Sequence, residues 1–169
     1  LIIDPNIKYE DYTDNETVKE FLLKIQEWKD LNNVYNCDFN DKNKDEVKRY
    51  MNMPYDKIRS MNSNEVNYAA YFLHRYVQYL YGILGKEQSI LDWANESIYY
   101  IVSDKINDYG DGYTKWEQKF YSAVKENPLA KEIFKLKTNS LSRVKSIEKT
   151  IYPIEKMANT LEQIGRNKS

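Results

Sequence analysis

Apolar residues recur along this chain mainly at helical spacing. Val18, Phe21, Leu22, Ile25 and Trp28 lie three or four residues apart behind Thr13-Asp14-Asn15-Glu16. That tetrad has the form of a capping box, with Thr13 bonding an exposed N–H and Glu16 reaching back. The pattern predicts a helix over 15–31. Residues 1–12 show no period and are expected to form an extended arm. Residues 32–44 are rich in Asn and Asp, whose short side chains compete for backbone hydrogen bonds, so a loop is expected there. A short helix over 45–52 follows. After Pro54 comes another, with Tyr55, Ile58 and Met61 on its apolar side.

The strongest pattern begins at a second box-like pair, Asn62 and Glu65. Steps of four and three from Val66 pass through Ala70, Leu73, Val77, Leu80, Leu84, Glu87, Leu91, Ala94, Ile98 and Ile101. Only Glu87 breaks the apolar run. A repeat averaging about 3.5 residues marks a helix packed lengthwise on a partner. The predicted element, 63–106, would be about 60 Å long. Gly82 and Gly85 fall off the seam and weaken the helix by up to ~1 kcal/mol each relative to Ala, so a break near Gly85 is the alternative.

A turn is expected over 107–112. Thr114 and Glu117 offer another capping box, opening a helix with Trp116, Phe120, Ala123 and Val124. Asn127-Pro128 reads as an N-cap followed by proline in the first turn of a last helix, which runs to Gly165. Its apolar stripe is Leu129, Ile133, Leu136, Leu141, Val144, Ile147, Ile151, Ile154, Met157, Leu161 and Ile164, and Pro153 predicts a kink. The expected fold is all-α: two long antiparallel helices in a coiled-coil-like hairpin, joined by shorter helices into a bundle. The expected division is an N-terminal helical segment, 1–62, and a hairpin core, 63–169.

Composition agrees with few, long elements, since only 5 Gly and 4 Pro are present in 169 residues. The single cysteine, Cys37, excludes an internal disulfide and a Cys-based metal site and fits a reducing, cytoplasmic setting. No apolar run could span a membrane, and no signal peptide is recognisable. The net charge of −1 hides a gradient. Residues 1–62 carry 10 basic and 13 acidic side chains, 63–128 carry 6 and 9, and 129–169 carry 9 and 4. A basic final segment on a near-neutral chain is a candidate site for an anionic partner.

Motifs of catalysis are missing. His74 is the only histidine. No phosphate loop, nucleophile elbow or zinc-binding histidine pair occurs, so no enzyme is expected. The Asp108-to-Gly112 string lacks the ligand spacing of a calcium loop, and no metal or cofactor is expected. Two stripes remain. Beside the apolar seam of the last helix run Lys131, Lys135, Lys145, Lys149 and Lys156, with Arg143 nearby, a ladder that could follow phosphates or form an ordinary solvated face. On the first long helix, Tyr68, Phe72, Arg75 and Tyr79 lie beside the seam. They could stack on unpaired bases or widen the core. The seam itself (Val66, Leu73, Val77, Leu80, Leu84, Leu91, Ile98) could form a core or hold an oligomer.

From Tyr68 onward the chain resembles small phage recombination mediators of the UvsY type. The resemblance rests on Ala69-Ala70-Tyr71-Phe72-Leu73-His74-Arg75-Tyr76, a long helix ending in Asp108-Tyr109-Gly110-Asp111-Gly112, a Trp/Tyr segment, Lys125-Glu126-Asn127-Pro128-Leu129-Ala130-Lys131, and a closing helix with Leu136-Lys137 and Arg143-Val144. It implies a homo-oligomer that binds single-stranded DNA, loosens a single-strand binding protein and helps load a RecA-like recombinase in the host cytoplasm. The basic ladder would contact phosphates, and the seam would join subunits. The alternative is a helical protein-binding module of viral origin, an inhibitor, adaptor or virion component. Its support is the long apolar seams, the surplus of Tyr and the acidic N-terminal half.

Overall fold

Asparagine caps mark where the first helix and the two long helices begin. In the computed structural model, which describes residues 14–31 and 41–168, α1 spans Glu16–Leu31 and α2 Asp41–Met51. Then come α3 (Tyr55–Ser60), α4 (Ser63–Val102), a 3-10 turn (Ile106–Asp108), α5 (Trp116–Glu126) and α6 (Pro128–Asn167). Helix accounts for 87% of the described residues, with no strand among them, and α4 and α6 pack against each other in an all-α bundle, as expected. The expected N-terminal arm, Thr13, Cys37 and most of the Asn-rich loop lie outside the described residues.

The box at the start of α4 forms in full. The Asn62 N–H donates to Glu65 Oε2 at 2.8 Å, and the Glu65 N–H donates to Asn62 Oδ1 at 3.0 Å. Asn127 Oδ1 likewise accepts from the Ala130 N–H at 3.0 Å, with Pro128 in the first turn. At α1 the described cap is Asn15, which accepts from the Val18 N–H at 3.3 Å.

Three expectations change. Thr114 does not cap α5, because its hydroxyl donates to the Asp111 carboxylate at 3.1 Å and accepts the Asp111 N–H at 3.1 Å. The charged neighbour in the turn out-competes the helix end for that hydroxyl. In the same turn Gly110 has φ 78°, and a Cβ there would strike the Thr114 side chain. Second, α2 begins at Asp41, within the expected loop. Burial of Val47 and Tyr50 secures a segment whose Asn and Asp content disfavours helix. Third, α4 ends at Val102 instead of 106, while it runs unbroken through Gly82 and Gly85 as first expected, without the alternative break. The last helix includes the exposed Pro153 and runs to Asn167.

The chain forms two compact units. One combines residues 14–31 with Gly85–Val144. Its core joins Val18 and Leu22 of α1, Ile90, Ala94, Ile98 and Val102 of α4, Phe120, Ala123 and Val124 of α5, and Ala130, Ile133 and Leu136 of α6. Phe21 stacks on Trp93 at 3.8 Å between centroids, fixing α1 against α4. Each fully buried Leu or Ile contributes about 1.5–3 kcal/mol, so this contact of four helices dominates the unit's stability.

The other unit combines residues 41–84 with 145–168. Val66, Leu73, Val77 and Leu80 are buried on α4, and Ile147, Ile151, Ile154 and Leu161 on α6. Here the helices run antiparallel: the Ser63 hydroxyl donates to the Gly165 carbonyl at 2.9 Å, and His74 Nε2 lies 3.7 Å from Glu162. The Lys168 ammonium donates to the carbonyls of Ile58, Arg59 and Met61 at 2.9, 2.8 and 2.5 Å. A cation thus closes the C-terminal end of α3.

Candidate nucleic-acid interface

The sequence marked three groups of residues for function: a seam, a basic ladder on α6 and an aromatic stripe on α4. Of the seam, Val66, Leu73, Val77, Leu80, Leu91 and Ile98 are buried within the single chain and Leu84 is half-buried. Their apolar area is used as core, so within one chain they are not a surface for another subunit. Glu87, the one polar step, is only 1% exposed and lies opposite α6, where Arg143 Nε approaches its Oε1 at 2.9 Å.

That contact removes Arg143 from the ladder. Its side chain is 19% exposed and its guanidinium faces the core-side carboxylate. A buried carboxylate holds a guanidinium strongly, because water no longer competes for either group. The other ladder members stay at the surface. Lys131 and Lys135 are exposed in the first unit, and Lys145, Lys149 and Lys156 in the second. Lys135 contacts Glu132 one turn away at 2.7 Å, an exposed pair of small energetic weight. Helix geometry keeps these lysines off the apolar side, where Ile133, Val144, Ile147, Ile151 and Ile154 are buried.

The α6 stripe itself needs one correction. Leu141 is 36% exposed, and Ser140 occupies the fully buried position in its place.

The α4 stripe divides. Phe72 is buried, with its ring edge-on to Tyr50 at 5.7 Å, so it belongs to the core. Tyr76, also buried, stacks on the half-exposed Tyr79 at 5.9 Å. Tyr68 and Arg75 are exposed. Burial raises the phenol pKa of Tyr50 and Tyr76 above the usual value, because the phenolate loses hydration.

Tyr68 also lines a concavity that the sequence did not reveal. The hollow lies between α2, α3 and the start of α4 and holds about 510 Å³. Arg49 and Lys57 supply cations, Met53 and Met61 supply soft apolar walls, and Glu46 and Asn64 add polar groups. The Arg49 guanidinium sits 4.8 Å from the Tyr50 ring centroid and donates to the Tyr50 hydroxyl at 3.0 Å. These residues come from three separate helices and mix charged, apolar and aromatic types, so no single-helix stripe in the sequence signals them.

In the first unit, the exposed Tyr99 and Trp116 stack at 5.8 Å, and Trp116 continues onto Phe120 at 5.2 Å. Among the described residues no group of three His, Cys, Asp or Glu is placed to hold a metal ion, and no helix is long and apolar enough to cross a membrane. No protein-family model, curated protein or solved structure matches this chain.

Proposed function

We propose that this protein is a non-catalytic, single-strand DNA-binding helper of phage recombination, which assists loading of a RecA-like recombinase in the presence of a single-strand binding protein. The observation that carries DNA binding is the solvent-facing lysine set of α6 (Lys131, Lys135, Lys145, Lys149, Lys156) in a segment with 9 basic and 4 acidic side chains. Cations on a helix exchange readily with the counterions of a phosphate chain, and that release drives sequence-independent binding. The role in recombination rests on the resemblance of residues 68–165 to UvsY-type mediators. A homo-oligomer belongs to this reading, built on surfaces other than the buried seam.

The test is binding of oligo(deoxythymidine) as a function of salt. A steep negative slope of log K against log salt is expected. Replacing Lys145 and Lys149 together by Ala should reduce its magnitude by about 1.4, two phosphates at ~0.7 each. Absence of binding at ~50 mM salt would overturn the reading.

A second reading, a protein-binding helical module of viral origin, is favoured by the exposed Tyr99, Trp116 and Tyr121, residue types enriched where proteins meet. Under it, Trp116→Ala abolishes capture of the partner while strand binding, if any, is unchanged.

A further inference from the structure

The hollow of α2, α3 and α4 has a chemistry of its own. Its lining includes the buried Tyr50, whose ring meets Phe72 edge-on, and Tyr68, which is 54% exposed. A large tyrosine left half in water beside a concavity offers a flat π-surface, with no ring among the described residues stacked parallel on it. The Phe72 ring lies tilted at 6.4 Å from it. Met53 and Met61 add polarizable, adaptable walls suited to a planar heterocycle. Arg49 and Lys57 stand among the lining residues, and both are exposed. Glu46 offsets part of this charge: it lies 3.5 Å from Arg49 and accepts the Tyr50 hydroxyl at 3.3 Å. Glu65 is occupied by the α4 cap. Among the described residues Lys57 therefore forms no carboxylate pair, and Arg49 is shared. The hollow is open to solvent, and its volume, about 510 Å³, is enough to seat one small ligand.

We infer that this hollow is a nucleotide-binding pocket, in which a base stacks on Tyr68 between Met53 and Met61 while its phosphate meets Lys57 and Arg49. An aromatic wall beside cations is how base and phosphate are held together without sequence preference. Arginine additionally offers its planar fork to phosphate oxygens. The nucleotide is one unit of the bound strand, a statement that rests on the proposed DNA-binding function. A free nucleotide shares the same chemistry. The residues lining the pocket fall within 46–68 and include none of the α6 lysines, so the two sites are separable by mutation.

The experiment is photo-crosslinking of the full chain to iodouridine-substituted oligo(deoxythymidine), with the modified peptide identified by mass spectrometry. It is paired with affinity measurements on Tyr68→Ala, Tyr68→Phe and Lys57→Ala and a titration with thymidine monophosphate. The expected result is a crosslink on the peptide containing Tyr68. Affinity should fall about 5- to 150-fold for Tyr68→Ala and stay near wild type for Tyr68→Phe, since stacking needs the ring and not the hydroxyl. Tyr68 is exposed, so circular dichroism of the Ala variant should match wild type. Strand binding with unchanged affinity in Tyr68→Ala and crosslinks confined to α6 would overturn the pocket and leave the proposed function standing. Saturable binding of the mononucleotide, lost in Tyr68→Ala, without strand binding would support the pocket and overturn the proposed function. Binding of neither ligand would overturn both.

Discussion

Replacing Arg143 by Met should unfold this protein more readily than any comparable change among the α6 lysines. Arg143 Nε and Glu87 Oε1 are 2.9 Å apart, with side chains 19% and 1% exposed. At an effective dielectric of about 20, two unit charges at that distance attract by about 6 kcal/mol. Desolvation of each ion costs several kcal/mol, so the intact pair is close to neutral for stability. Removing one partner is different. Arg143→Met leaves a carboxylate in the core without its guanidinium, costing about 3–5 kcal/mol. For a chain of this length that lowers Tm by about 6–20 °C. Glu87→Leu should cost less, about 1–3 kcal/mol, because the long arginine stem lets the guanidinium turn to water. The double variant, Glu87→Leu with Arg143→Met, should lie within ~1 kcal/mol of wild type or above it. Thermal and urea unfolding of all four proteins, followed by circular dichroism, gives the coupling energy directly. If Arg143→Met leaves Tm unchanged but flattens the salt dependence of strand binding, the assignment of Arg143 to the core is wrong and it belongs to the phosphate ladder.

Other outcomes follow from single contacts. Ser140 is fully buried and its hydroxyl has no hydrogen-bond partner among the described residues, so Ser140→Ala should stabilise the chain by about 1 kcal/mol, measured as a raised urea midpoint. The Asp111 carboxyl is held below its usual pKa, first by the Tyr113 N–H and then by the Thr114 hydroxyl. A depressed carboxylate supports structure above its unfolded pKa, so protection of the 109–114 turn in hydrogen exchange should fall as pH drops below about 4. Tyr50 and Tyr76 have pKa values raised by burial. Deprotonation then favours the unfolded chain, and stability of the 41–84 and 145–168 unit should decline as pH rises above about 10, while Tyr76→Phe should remove part of that decline.

The long helices were legible because a period near 3.5 over many turns has no competing interpretation. The Asn62–Glu65 box and the Asn127-Pro128 start were legible for a local reason: each cap is built from residues within four positions. Thr114 shows the limit of that logic. Its nearest strong acceptor, Asp111, is equally local but belongs to a turn whose shape the sequence does not reveal. Leu141 carried a warning in the pattern itself, since its step of five from Leu136 is no helical spacing. The structure resolves it with Ser140. The contact of Arg143 with Glu87 was not legible, because a charge beside a seam looks the same in sequence whether it faces water or a buried acid. Glu87, the lone interruption on the other helix, was the available signal. The Tyr68 hollow was not legible at all, being assembled from three helices whose packing is set by tertiary contact.

Ser140 also has a consequence for how the helices wind. From Ile133 the buried positions of α6 are Leu136, Ser140 and Val144, giving two consecutive steps of four. A strict heptad never does this; such a stutter relaxes left-handed supercoiling over about three turns. The straighter stretch presents more of its circumference than a two-stranded coil can cover, and in this unit α1 and α5 share the core with it. A minimal fragment made of α4 and α6 alone would therefore expose the face that Val18, Leu22, Phe120 and Val124 now cover. Dissection of binding activity by peptides from α6 would measure a differently wound helix from the one in the protein.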